Sequence, residues 1–290
     1  MADPVLRIQS QLTERDLTLL GWLVDHGVLT SFQISNALFG SVDFAQRRLR
    51  RLCEYGVLDR FRPQKPDGGT YPYHYVAAQL GVDVIAAQRD QDVPRRDEAR
   101  RRRWHLTRRA NLPHRLGVNG FFTDLAGHAR THPGTALVRW WPAGRCQRMG
   151  AFAIADDPIE IRAYIPSIRP DGHGIWHDHA TVVPFFLEFD LDTEDHPRLV
   201  SKLDGYVDLY RTLRRVWPVL YSFHSTDREA TFHTRLAAAG TRLPVATTAR
   251  DHVIAHHLNP AEAVWWLRGH PGRRTLADLP TSGSTTATAA

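Results

Sequence analysis

Asp171, Glu188 and Asp190 are the side chains of this 290-residue sequence whose types and spacing could do chemistry. Asp171 sits in "RPDG" (169–172) and Glu188 in "FFLEFD" (185–190). If two strands joined by a hairpin carry them, the two carboxylates come within a few ångströms of one another. Such a pair suits a divalent metal such as Mg²⁺, which prefers hard oxygen ligands and keeps several waters. A metal so held polarises a phosphodiester and makes an attacking water more acidic, and a nearby ammonium would stabilise the pentacovalent charge. The stretch "FFLEFDLDTE" (185–194) also puts Glu188, Asp190, Asp192 and Glu194 at alternate positions. A continuing strand would place all four on one face, where they repel unless a metal, a base or water relieves them. With Phe185 to Leu187 as the buried part, Asp192 and Glu194 are expected beyond the strand in water. The repulsion then narrows to Glu188 and Asp190.

The elements that must position these groups read as follows. "LPHRLGVNGFFTDLAGHAR" (112–130) is amphipathic, with Leu116, Phe121, Phe122 and Leu125 on its core side. Strands are expected at 136–141, 160–172, 181–190, 216–225 and 243–249, with helices at 196–215 and 227–240. That order predicts a mixed sheet with helices on both faces, an α/β domain over 111–268. The end of the chain, 269–290, reads as a flexible low-complexity tail.

Ahead of this domain the character differs. Up to Arg115 there are 19 Lys+Arg against 13 Asp+Glu, and from Leu116 onward 18 against 18, so the net +6 belongs to the first part. A polyanion-binding module is the natural reading. Residues 12–57 predict three helices: one capped by Thr13 with Asp16 three residues on, one capped by Thr30 or Ser31, and "SVDFAQRRLRRLCEYGVL". In the third, Phe44, Leu49, Leu52 and Cys53 face inward, and Arg47, Arg48, Arg50 and Arg51 outward. A strand, a "PDGG" turn and a tyrosine-rich strand follow. Three helices and a hairpin over 1–81 resemble a winged helix-turn-helix, which implies a third helix in the DNA major groove and a wing on the backbone. That resemblance makes Arg47, Arg48, Arg50 and Arg51, with Arg60, Arg62 and Lys65 on the wing, the candidate DNA contacts, most of them to phosphate. An arginine-dense segment, 82–110, reads as a basic linker that becomes helical.

Of the 37 basic residues only Lys65 and Lys202 are lysine. An ammonium is a compact point charge that arginine replaces poorly at a catalytic position. "RPDG…FFLEFD" resembles the PD-(D/E)XK nuclease superfamily, with Pro170-Asp171 as the first element and Glu188 as the second acid. Asp190 stands where that superfamily has lysine. Some relatives carry the lysine on the following helix, where Lys202 lies in "RLVSKLDGY". The resemblance implies an α/β/α domain with Asp171, Glu188 and Lys202 as catalytic residues, and Asp171, Glu188 and Asp190 as Mg²⁺ ligands if the site is active. The order of a basic winged helix, "LPHRLGVNGFF", "RPDG…FFLEFDLDTEDHPRLVSKLDGY" and "WPVLYSFHSTDRE" is similar to the replication-relaxation family. This implies a protein of plasmid or mobile-element replication or relaxation that binds double-stranded DNA. The alternatives are an active Mg²⁺-dependent nickase and an adaptor for replication or conjugation proteins.

Other chemistries fare worse. His173, His177 and His179 read as polar histidines in a turn, and Cys53 and Cys146 lack metal-ligand or disulfide spacing. There is no phosphate-binding glycine loop and no G-x-S-x-G. No apolar run suits a membrane span or a signal peptide, so a cytoplasmic protein is expected.

Overall fold

The computed structural model describes residues 4–92, 100–101 and 112–282. The chain divides into two compact units, Met1–Gly127 and His128–Ala290. Among the described residues, no helix is long and apolar enough to cross a membrane.

Unit 1 begins with a short helix, α1 (Pro4–Gln9), followed by α2 (Glu14–His26), β1 (Leu29–Thr30), α3 (Ser31–Leu38) and α4 (Val42–Glu54). Strands β2 (Leu58–Phe61) and β3 (His74–Ala77) and helix α5 (Gln79–Gln88) follow. Both expected starts are capping boxes: Thr13 with Asp16 opens α2, and Thr30 with Gln33 opens α3. Leu19, Leu20, Leu23, Ile34, Leu49 and Leu52 form the core between these helices. The sheet has the order β1-β3-β2 and is antiparallel throughout, with the two-residue β1 as an addition to the expected hairpin. Phe44, expected inward, is 48% exposed and stands over Phe39 instead.

The unit is larger than the sequence reading of 1–81. Val82, Val84 and Ile85 are buried on α5, which occupies the start of the supposed linker. Helix α6 (Leu112–Thr131) belongs to unit 1 as far as Gly127, where 111 was expected to open the α/β domain. The reason is polar as well as apolar. Asn119 donates to Val28 O at 2.6 Å, and Gln33 donates to Leu116 O at 2.7 Å. The rest of the arginine-dense segment, apart from Arg100 and Arg101, lies outside the described residues.

Unit 2 is built on a seven-stranded mixed sheet. Its strands are β4 (Thr135–Pro142), β5 (Gly172–Asp178), β6 (Thr181–Phe189), β7 (Val219–Phe223), β8 (Val245–Ala249), β9 (Trp265–Leu267) and β10 (Arg273–Arg274), in the spatial order β10-β9-β8-β7-β6-β5-β4. β6, β7 and β8 run parallel to one another, and the other neighbours are antiparallel. Four helices accompany them: α7 (Ala143–Cys146), α8 (Ile159–Arg162), α9 (His196–Leu213) and α10 (Thr226–Ala239), with a short α11 (Arg250–Ala255) after β8. A sheet buried on both faces explains why β6 and β7 read as continuous apolar runs.

Three expectations fail here for physical reasons. The strand expected over 160–172 is a single helical turn, α8, followed by irregular chain, because Pro166 and Pro170 cannot donate to a ladder. The partner of β6 is instead "GHGIWHD", whose His173 is fully buried rather than in a polar turn. Gly174 is required there, since a Cβ would lie 2.2 Å from the Phe185 ring. The expected tail from 269 is packed as far as 282: Arg273 donates to Glu229 Oε1 at 3.1 Å, and Leu276 and Leu279 are buried. Residues 283–290 lie outside the described residues.

Candidate functional site

β5 and β6 pair from Gly172–Leu187 to Asp178–Thr181, and Asp171 and Glu188 lie one step beyond, at the end of the ladder. Asp171 is fixed by its own carboxylate, which accepts from Phe189 N at 2.7 Å. Glu188 projects from β6 toward α9. That helix is started by Asp195, whose side chain accepts from Arg198 N, and by Pro197 in its first turn. Lys202 and Tyr206 are four residues apart and therefore share the face that meets β6. Lys202 Nζ donates to Glu188 Oε2 at 3.2 Å, and Tyr206 Oη donates to Glu188 Oε1 at 2.7 Å. Lys202 also pairs with Glu194 at 2.7 Å. Lys202 thus meets Glu188 directly, and Asp171, at the same end of the ladder, acts on Glu188 through its charge.

The electrostatics are those of a crowded acidic corner. Burial, and then the charge of Asp171, push the Glu188 carboxyl up to about 7 against the opposing pull of Lys202 and Tyr206. Burial by itself would lower the Lys202 ammonium, but Glu188 and Glu194 outweigh it and raise it above its ordinary value. The sequence reading does not single out Tyr206, for which the i, i+4 spacing from Lys202 is the available signal, and it expects Glu194 in water, where the structure pairs it with Lys202.

Asp190 does not join this group. β6 ends at Phe189, and Asp190 instead receives Arg228 of α10, with Nε at 2.5 Å from Oδ2 and Nη2 at 3.0 Å from Oδ1. The same guanidinium pairs with Asp192 at 2.8 Å, and Arg250 donates to Asp190 O at 2.7 Å. Asp190, Asp192 and His224 do have ligand atoms within 4.8 Å of one another, a spacing that a metal could use. Arg228 stands among them as the cation and pairs with Asp190, which sets Asp190 apart from the Asp171–Glu188 pair with which it was expected to hold Mg²⁺. The repulsion legible in the acidic stretch is relieved twice, by Lys202 on one side and by Arg228 on the other.

Unit 1 sorts the candidate DNA contacts into three kinds. Arg47 and Arg50 are exposed on α4 and form no ion pair among the described residues. Arg48 is turned inward: its Nε donates to Asp16 Oδ1 at 3.0 Å and its Nη2 to Gln11 O at 2.9 Å, and Asp16 is 1% exposed. Arg48 is therefore a structural residue. The remaining cations are interleaved with tyrosines. Arg51 donates to Tyr55 Oη at 2.6 Å, Arg60 and Arg62 lie 4.4 and 4.9 Å from the Tyr73 ring centroid, and Lys65 is 5.6 Å from that of Tyr71. Up to Asp92 the chain holds 10 basic and 11 acidic residues, so the basic excess lies in 95–115, largely outside the described residues.

A family described as replication-relaxation matches residues 20–220, which is 201 of the 290 residues. The chain belongs to the replication-relaxation family. No curated protein and no solved structure matches it. The family match runs from α2 to the first part of β7 and so includes Asp171, Glu188, Lys202 and Tyr206, together with α4 and the β2–β3 hairpin. Arg228, which seals Asp190, lies beyond the matched region.

Proposed function

We propose that this replication-relaxation protein handles DNA in the replication or relaxation of plasmids or other mobile elements. In this reading it holds duplex DNA through unit 1, acting as a winged helix-turn-helix, and nicks DNA at a Mg²⁺-dependent site in unit 2. The observation that carries the nicking assignment is the approach of Lys202 Nζ to 3.2 Å from Glu188, beside Asp171, at the end of the β5–β6 ladder.

Asp171 and Glu188 fit a divalent cation: they are hard oxygen donors at adjoining strand ends, and Lys202 and Tyr206 together leave Glu188 raised to about 7. Magnesium bound there would supply polarisation of the phosphodiester and a more acidic water. The protein's own groups do the rest. Lys202 keeps its proton and sets a positive charge where negative charge develops on the phosphorus oxygens. Glu194 holds that ammonium in place, and Tyr206 fixes the Glu188 carboxylate in one orientation. On α4 the exposed Arg47 and Arg50 face DNA, and the tyrosine-stacked Arg60, Arg62 and Lys65 meet the backbone from the hairpin.

One observation favours a second reading, a DNA-binding protein whose nuclease-type site is silent. Both Glu188 oxygens are already engaged, by Lys202 and by Tyr206. Incubation with supercoiled plasmid separates the two. The nicking reading expects conversion to open circles in Mg²⁺ or Mn²⁺ and none with a chelator. A retained gel shift with no conversion under any metal would leave the binding protein alone standing.

A further inference from the structure

β4 forms one edge of the unit 2 sheet, and an irregularity between Leu137 and Arg139 shifts its register against β5. Beyond that shift, Arg139 is opposite Ile175 and Trp141 is opposite His173. Arg139 and Trp141 are two residues apart and so lie on one face. The Arg139 guanidinium stands 4.1 Å from the Trp141 ring centroid, and that of Arg145, from α7, stands 4.7 Å from it. Two cations from different elements thus share one indole.

Among the described residues, no acidic side chain acts on the Arg139 guanidinium. Arg139 is half-buried, and among the described residues its guanidinium forms no hydrogen bond or ion pair, only the contact with Trp141. Burial and the charge of Arg145 both lower its pKa, and the only opposing influence is Cys146, a buried thiol pushed up to about 12. A charged residue that merely guards a sheet edge from pairing would point into water. Here a second guanidinium is drawn to the same ring, which is the arrangement of a receptor for an anion.

The patch lies on the same face of the sheet as the carboxylate site. Tyr206, which holds Glu188, has its ring 5.1 Å from Phe186, which is 4.9 Å from His173, which is 5.6 Å from Trp141. Crossing two strands and stepping back two residues places Trp141 roughly 12 Å from Glu188. A separation of that size lies within a few nucleotides of one DNA strand.

We infer that Arg139 and Arg145, held over Trp141, bind the phosphodiester backbone of a nucleic-acid strand a few nucleotides from the Asp171–Glu188 corner. This rests on the DNA-handling reading of unit 2 and adds to it a second anchor, independent of α4. The recognition is of charge and backbone, not of base sequence.

The test uses the full chain and a fluorescein-labelled DNA duplex, with affinity followed by anisotropy between 50 and 200 mM salt (on the order of the range over which phosphate contacts show themselves). Arg139→Gln combined with Arg145→Gln is expected to weaken binding about tenfold and to make the salt dependence shallower by about one to two ions. Arg139→Lys, which keeps the charge, should retain most of the affinity. If Arg139→Gln fails to fold, Arg145→Gln alone should remove about one ion from the slope. Affinity and slope equal to wild type in folded patch variants would overturn the inference. Loss on Arg47→Gln/Arg50→Gln alongside silent patch variants overturns only this inference and leaves unit 1 as the DNA anchor. Silence of both sets removes the DNA reading as well.

Discussion

Glu188→Ala is expected to abolish metal-dependent nicking of supercoiled plasmid, a loss of at least about a thousandfold, while DNA affinity changes little. A metal held by two carboxylates loses its site when either is removed, and with it the polarised phosphodiester and the activated water. Lys202→Met should be less severe, roughly a hundred- to a thousandfold, the scale of removing one preorganised transition-state contact. Lys202 is 35% exposed and sits on a helix surface, so its loss should leave unit 2 folded. The two variants read different things. If Lys202 only neutralised its acidic neighbours, Lys202→Met would leave nicking intact and shift its pH profile upward. If Lys202 acts on the phosphate, the turnover rate falls across the whole profile. Both are measured as open-circle formation with time, over a range of pH.

Arg48→Ala should cost unit 1 about 3–5 kcal/mol, the usual consequence of removing one partner of a buried ion pair. Burial pulls the Asp16 carboxyl up, but Arg48 and Thr13 outweigh it and hold it below its ordinary value. Without the guanidinium, a carboxylate that is 1% exposed has no counter-charge, and the capping box that starts α2 is strained with it. That pairing stabilises the fold above the ordinary aspartate range and is lost as pH falls through the depressed value of Asp16. The melting temperature of unit 1 should drop by roughly 10–15 °C. Adding Asp16→Asn should restore part of the loss, because the uncompensated charge is gone. DNA binding would fall with the fold. A variant that melts like wild type but binds more weakly, with a salt slope reduced by about one ion, would return Arg48 to the DNA surface.

The parts of this structure that were legible in the sequence are those specified locally. Thr13 with Asp16, and Thr30 three residues before Gln33, announce helix starts because a cap and its partner lie within one turn. The apolar run of β6 announces a strand buried on both faces, and Asp171 and Glu188 then follow as hairpin neighbours. What escaped depends on partners far along the chain. Arg48 reads as one more outward arginine until Asp16, 32 residues earlier, claims it. Asp190 reads as a companion of Glu188 until Arg228, 38 residues later, turns it away. "GHGIWHD" carries the composition of a turn, yet its glycine is there to admit the Phe185 ring and its histidine is buried among aromatics. The segment after 269 looks like a tail because Arg273 gives no hint that Glu229, 44 residues earlier, is its partner.

Where a divalent ion binds is the most direct test of the account. Titration of the full chain with Mn²⁺, followed by electron paramagnetic resonance or calorimetry, is expected to give a site that is lost in Glu188→Gln and in Asp171→Asn. Its affinity should rise with pH through about 7, where burial and Asp171 place the Glu188 carboxyl, because the proton must leave before the ion binds. Asp192→Asn and His224→Ala should leave it unchanged. Binding that survives Glu188→Gln but vanishes in those two variants would put the ion at the Asp190–Asp192–His224 grouping and contradict the assignment of the Asp171–Glu188–Lys202 corner as the active site.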